Sequence, residues 1–399
     1  MKLRLLATLC IVALAAHAGV LAQERTLDDV KRDIQRRVAQ KQPPFDDVRA
    51  DEVERVLSSL TSLDKDEWGK RWCDVGLNHE KRGDELAAKG APAKAIGQAY
   101  YLAYSYCHIG RYPVPSSAAK HAAYEATRRT FRKAAKYFDV PLQVIDIPFE
   151  GKTFVAYLQV PAGVTRPSVV MYWGGVDVWK EDHQRNSAIM HARGLATLLI
   201  DQPGTGESPV RFAEPNAERM FSAAMDYLAT RRDVDGNRVG VWGRSFGAYW
   251  AAKLAYVEAK RLKGAVFHGG NAHYGFQEEW LRPALTKTAS NYLLGPSSLF
   301  DSRGFVLGVK TLEDIFHLAP KMSLKDQDLL DKPSAPMLIV NGKLDDQAPI
   351  ADSYLLMEHG SPKETRIYPE GGHMGATPGL NPDVIATVIV DWLKLRLGQ

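Results

Sequence analysis

Strand-like and helix-like segments alternate through most of this chain, and the strands are apolar from end to end. That combination predicts an α/β fold, a mostly parallel central sheet with helices on both faces. Three observations carry the expectation. Apolar runs at residues 168–173, 195–201, 264–268 and 336–341 are separated by helical segments. A glycine-bounded turn, Gly243-Arg244-Ser245-Phe246-Gly247, joins a short buried strand (Val239, Val241, Trp242) to a helix of small and apolar residues. Finally, composition shifts near Val140, before which the pattern is helical and after which strands begin.

In chain order, residues 1–4 are basic and 5–21 apolar, with small residues in Ala16-His17-Ala18 or Val20-Leu21-Ala22 suited to signal peptidase. The expectation is a cleavable signal peptide over residues 1–22 and a periplasmic or secreted protein beginning at Gln23. The apolar segment is short for a span and is interrupted by His17, and Leu9 before Cys10 argues against lipid attachment.

Residues 23–139 then read as an all-helical domain. Segments 27–39 and 49–63 are amphipathic, and 68–89 with 92–109 form a helical hairpin turning at Gly90. A further helix covers 117–137. Tyr100, Tyr101, Tyr104 and Tyr106 form an aromatic face suited to packing. Cys73 and Cys107 lie equidistant from Gly90, so antiparallel helices bring them level and predict a disulfide in an oxidising compartment. Two separate buried thiols are the alternative.

The remainder, residues 140–399, forms the second domain. Residues 144–149 and 153–160 make a strand hairpin. Helices at 181–193, 216–231 and 382–397 alternate with the apolar strands and with a last strand at 364–368. Residues 271–332 break the alternation as a helical excursion with patches at 276–293 and 311–318. The formal charge of +4 over 399 residues, with 45% hydrophobic and 25% charged residues, points to a soluble globular protein and away from nucleic acid as a partner. A small-molecule substrate is expected, with no membrane association once the leader is removed. No motif speaks to assembly, and a homodimer is compatible with the sequence.

The strand, Gly-x-Ser-x-Gly turn and helix resemble the nucleophile elbow of α/β-hydrolases, in which a serine is followed along the chain by an acid and then a histidine at successive strand ends. Ser245 is the candidate nucleophile. The strand at 336–341 runs into Gly342-Lys343-Leu344-Asp345-Asp346, where Asp345 fits the frame Gly-x-x-Asp-x-x-x-Pro better than Asp346. The next strand leads to Gly371-Gly372-His373. Of the 11 histidines, none of the others sits on a glycine loop between a strand and the last helix; His268 and His273 read as pocket lining or satisfied polar groups. Gly174-Gly175-Val176-Asp177 ends the first long parallel strand. It would supply an oxyanion donor, the amide of Gly175 or Val176, beside the Phe246 amide. The turn Asp201-Gln202-Pro203-Gly204-Thr205-Gly206 reads as structural.

From about Lys89 onward the chain resembles an α/β-hydrolase family that includes the fermentation–respiration switch esterase-like proteins, dihydroxypseudooxynicotine hydrolase and fungal polyketide-shortening hydrolases. The motifs are Ala99, Tyr104, Gly110-Arg111-Tyr112-Pro113, Ile147-Pro148-Phe149-Glu150-Gly151, Gly174-Gly175-Val176-Asp177 and the Gly-Arg-Ser elbow. The resemblance implies an α/β-hydrolase fold, a helical domain capping the pocket, and no cofactor or metal. Some members cleave a carbon–carbon bond beside a ketone with an extra acid, for which Glu278 and Glu279 lie near the right place. Carboxylic-ester hydrolysis through an acyl-enzyme is the leading expectation and carbon–carbon hydrolysis the alternative. Peptidase or amidase action and a non-catalytic binding role stand behind them.

Overall fold

The computed structural model describes residues 23–360 and 362–398. The leader expected over residues 1–22 lies outside the described residues. The first five helices are α1 (Leu27–Ala39), α2 (Ala50–Ser59), α3 (Lys65–Ala88), α4 (Ala93–Arg111) and α5 (Ala118–Ala135). Their starts follow from local chemistry: Thr26, Asp64 and Ser117 each accept a bond from a first-turn amide with the side chain. α2 stops at Ser59, short of the expected 63, because Leu60 is extended and drops its buried side chain into the helical core. That core is built from Val30, Ile34, Phe45, Trp68, Trp72 and Tyr106, and it reaches Leu293 in the later part of the chain.

Eight strands follow: β1 (Leu142–Phe149), β2 (Lys152–Gln159), β3 (Ser168–Trp173), β4 (Ala196–Leu199), β5 (Asp235–Arg244), β6 (Leu262–His268), β7 (Met337–Gly342) and β8 (Lys363–Tyr368). They form one sheet in the order β1-β2-β4-β3-β5-β6-β7-β8. The β1–β2 and β2–β4 pairs are antiparallel, and every later pair is parallel. Strands β3, β4 and β7 are buried at every position, as strands covered on both faces must be.

The remaining helices are α6 (Gln184–His191), α7 (Arg219–Thr230), α8 (Ala248–Val257), α9 (Glu278–Asn291), α10 (Pro296–Leu307), α11 (Leu312–Leu318), α12 (Ile350–Glu358) and α13 (Pro382–Arg396). On one face α7, α8 and α12 cover the sheet, and α9 to α11 continue that core over its C-terminal edge. On the other face Ile389, Val390 and Leu393 of α13 pack with Trp242, Val266 and Leu338. Helices α10 and α12 go beyond what the sequence pattern predicts. Among the described residues no helix is long and apolar enough to cross a membrane.

Cys73 and Cys107 form a disulfide joining α3 to α4. The helices approach closely because Gly76 faces α4: a Cβ there would sit 2.7 Å from the Ala103 carbonyl oxygen. Closing a loop of 34 residues of separation should stabilise the fold by up to about 4 kcal/mol in the chain-entropy model. Replacing both cysteines by alanine should therefore lower the urea midpoint and raise the m-value, because the unfolded chain without the cross-link exposes more surface. Thiol titration of unreduced, denatured protein lacking residues 1–22 should find no free cysteine; two free thiols would show that the bond does not form.

Candidate active site

Three strand ends build the site. β5 ends at Arg244, and Ser245 follows with φ +53°, in the left-handed region that costs a non-glycine residue about 1–3 kcal/mol. Close packing holds it there. A Cβ on Gly247 would lie 2.1 Å from the Gly174 carbonyl oxygen, and Trp173 donates its indole N–H to the Gly247 carbonyl at 2.8 Å. The turn therefore cannot relax without displacing the end of β3.

Ser245 Oγ lies 2.8 Å from His373 Nε2. His373 comes from a short 3-10 turn after β8, and its Nδ1 lies 2.9 Å from Asp345 Oδ2. The other Asp345 oxygen accepts the amides of Gln347 at 2.8 Å and Ala348 at 3.1 Å. Burial opposes charge on Asp345, but the hydrogen bond and charge of His373 and the two amides outweigh it, holding the carboxyl below its ordinary range. An ionised Asp345 fixes the tautomer: His373 Nδ1–H donates to the carboxylate, leaving Nε2 to accept the serine proton. Asp346 instead pairs with Lys287 at 3.1 Å and lines the cavity beside Ser245.

A second buried histidine supports the first. Burial pushes His268 down to about 3, so it is neutral; its Nε2 donates to the Met374 carbonyl at 2.9 Å and Nδ1 accepts from the Trp242 indole at 3.3 Å. It is a satisfied polar group that steadies the His373 turn. His273 is bonded through Nδ1 to Ser323 Oγ at 2.7 Å, outside the Ser245 cavity.

That cavity encloses about 400 Å³ and is lined on the floor by Gly174, Gly175, Val176, Ser245, Phe246 and His373. Leu281 and Leu285 of α9, Leu307 of α10, Ile315 and Met322 make its apolar wall. A polar end that sequence reasoning missed is formed by Arg37, Tyr112, Asp177, Tyr292 and Arg303. There Tyr292 donates to Asp177 Oδ2 at 2.8 Å, and Arg303 lies 3.5 Å from the other oxygen. Arg37 and Tyr112 bring the N-terminal helical part into the cavity lining. Gly175 lies directly against Ser245, since a Cβ there would be 2.9 Å from Ser245 Cβ and 3.5 Å from the Phe246 amide nitrogen.

The expectation for Glu278 and Glu279 is corrected. Both are exposed on the first turn of α9 and neither lines this cavity. Glu278 pairs with Arg282 at 2.6 Å, and Glu279 faces a separate surface depression with Trp280 and Lys343. The apolar face of α9 turns Leu281 and Leu285 inward, which carries the helix start outward. Among the described residues no group of three or more metal-ligating side chains comes together.

Sheet order, elbow and cavity define an α/β-hydrolase. The chain belongs to the Esterase FrsA-like family, whose pattern it matches over residues 28–366. It is 24% identical over 356 residues to Esterase FrsA of Photobacterium profundum, covering 86% of this chain and 80% of that one. It is 26% identical over 266 residues to 2,6-dihydropseudooxynicotine hydrolase of Paenarthrobacter nicotinovorans, covering 66% and 67% of the two chains. The crystal structure of the 2,6-dihydroxy-pseudo-oxynicotine hydrolase shares the fold, with a TM-score of 0.72 at 20% identity over 92% of this chain and 95% of that one.

Gly175→Ala tests the geometry. Its Cβ would press on Ser245 Cβ at 2.9 Å and Oγ at 3.2 Å, so the serine must leave its place beside His373. Hydrolysis should fall by about 100-fold or more, the scale of a disrupted nucleophile or oxyanion group. The melting temperature should stay within a few degrees of the parent. Full activity in the alanine protein would show that Gly175 is not against the reacting serine.

Proposed function

We propose that this protein hydrolyses a carboxylic ester through an acyl-enzyme on Ser245. The observation that carries the reading is the hydrogen-bonded series Ser245–His373–Asp345 on the floor of a largely apolar cavity. Ser245 Oγ attacks the acyl carbon while its proton passes to His373 Nε2. The tetrahedral oxyanion is held by the Phe246 amide and by the amide of Gly175 or Val176, each worth about 3 kcal/mol. His373 then returns the proton to the leaving alkoxide, and the alcohol departs. Water attacks the acyl-serine with His373 again taking its proton, and Ser245 is regenerated as the acid leaves. Asp345 orients the imidazole and favours its protonated form.

Carbon–carbon hydrolysis needs a further acid to protonate a carbanion. Glu278 and Glu279 are outside the cavity, which favours the ester. We further propose that the protein acts outside the cytoplasm, since a disulfide and a leader-like N-terminus belong to an oxidising compartment.

Ser245→Ala, His373→Ala and Asp345→Asn should each lower kcat on p-nitrophenyl esters by about 10³-fold or more, and Ser245→Ala/His373→Ala should be little worse than either single change. Fluorophosphonate should label the parent protein at Ser245 and leave Ser245→Ala unlabelled. Turnover by Ser245→Ala near the parent rate would remove the serine from the mechanism.

Glu278→Gln and Glu279→Gln separate the two bond types. Each should change kcat on the best ester by less than about tenfold, below the scale of a lost general acid. A loss of two or more orders of magnitude confined to a β-diketone substrate would favour carbon–carbon cleavage instead.

A further inference from the structure

Three consecutive carbonyls in the loop after β3 accept side-chain hydrogen bonds, two of them from outside the loop. Gly175 O accepts from Gln202 Nε2 at 2.7 Å. Val176 O accepts from the Trp179 indole N–H at 2.9 Å. Asp177 O accepts from Arg111 Nη1 at 3.0 Å. In a planar trans peptide the C=O and the following N–H point in opposite directions. Holding the Gly175 carbonyl on Gln202 therefore sets the direction of the Val176 N–H, which points away from Gln202. The same glycine packs against Ser245 and the Phe246 amide. Among the described residues the Val176 N–H donates to no protein group.

Gln202 has little freedom to do anything else. It is 1% exposed and follows β4 on a turn anchored by Asp201. Asp201 accepts the backbone amides of Lys180 at 2.9 Å and Glu207 at 2.8 Å, and the buried Lys180 ammonium at 2.6 Å. The far end of the loop is equally fixed. The Arg111 guanidinium, 1% exposed and stacked 4.2 Å over Trp179, also meets Asp182 Oδ2 at 2.7 Å. Asp182 in turn accepts the Trp179 amide at 2.7 Å and the Tyr104 hydroxyl at 2.7 Å.

We propose that Gln202 is a positioning residue of the oxyanion hole. By fixing the Gly175–Val176 peptide plane it aims the Val176 N–H at the oxygen that becomes negative, and Arg111 of the N-terminal helices steadies the same loop from its other end. This rests on the Ser245 hydrolase reading and adds to it: Val176 rather than Gly175 is the second donor, and its aim is set from outside the loop. A purely structural Gln202 would affect folding without discriminating the transition state from the substrate.

The test is Gln202→Met, close in volume and unable to donate. On a p-nitrophenyl ester kcat should fall about 10- to 100-fold, somewhat less than deleting a donor outright, with KM within about threefold. The inhibition constant of a trifluoromethyl ketone, which adds Ser245 to form a tetrahedral oxyanion, should weaken by the same factor as kcat/KM. Should the methionine protein not fold, Arg111→Lys, which cannot span both Asp177 O and Asp182, is read by the same criteria. A kcat within twofold of the parent, or a lost kcat with unchanged ketone affinity, would overturn the proposal. Failure of the hydrolase reading would show separately, as activity persisting in Ser245→Ala.

Discussion

The site depends on one steric constraint: the ends of β3, β5 and β6 meet with no room for a side chain between them. A Cβ on Gly247 would strike the Gly174 carbonyl, and one on Gly270 would lie 2.9 Å from the Ser245 carbonyl oxygen. In that space the chain can pass from β5 into α8 only with Ser245 in a left-handed conformation. The strain of about 1–3 kcal/mol is local. It is offset by the surrounding packing, including the buried Trp173–Gly247 hydrogen bond. The conformation lifts the hydroxyl to the C-terminal edge of the sheet, where the loops after β7 and β8 bring Asp345 and His373.

Buried charge fixes the N-terminal helices to this machinery. Lys180, with a fully buried side chain, meets Asp201 at 2.6 Å, Glu207 at 2.7 Å and Glu181 at 3.2 Å. Glu207 in turn pairs with Arg128 and Arg132 of α5. A few residues away, burial opposes charge on Asp182, but His108 and Arg111 of α4 hold its carboxyl far below the usual range. Such clusters add little net stability when complete, yet removing one partner costs about 3–5 kcal/mol because the other charge stays buried. The helices are thus joined to the catalytic part by contacts that tolerate little sliding. Their Arg37 and Tyr112 in the cavity lining belong to a fixed wall.

Much of this was legible in the sequence because sheet strands and glycine turns leave local signatures. All eight strands were visible as apolar or alternating runs, and the order serine, acid, histidine at strand ends picked out three residues that the structure brings within hydrogen-bonding distance. Choosing Asp345 over Asp346 relied on the turn frame, and two backbone amides bonded to Asp345 are its physical basis. What was not legible lacks such signatures. α10, with Ser297, Ser298, Ser302 and Gly304, shows no single apolar stripe. α12 is short and starts directly after Pro349. For the glutamates of α9 the sequence offers only distance along the chain, which says nothing of helix rotation. Gln202 sits in a turn that reads as structural, and its proposed role depends on a carbonyl 27 residues away in sequence.

What the cavity can do follows from the state of its proton carriers. Asp177 is engaged by Tyr292 and Arg303, and Asp346 by Lys287. The two phenols in the lining, Tyr112 and Tyr292, are made weaker acids, first by burial and then by the nearby Asp177 charge. In the proposed mechanism His373, bonded to Ser245 through Nε2 and to Asp345 through Nδ1, is the group that takes the serine proton and returns it to the leaving group. A single shuttle is enough when the leaving atom is an ester oxygen, because that oxygen departs with the proton the serine gave up. A carbon leaving group makes a stronger demand, for an acid aimed at the developing carbanion or a donor on its ketone. Among the described residues the two carboxyls of the lining, Asp177 and Asp346, are both already paired, which supports the proposal of a carbon–oxygen bond.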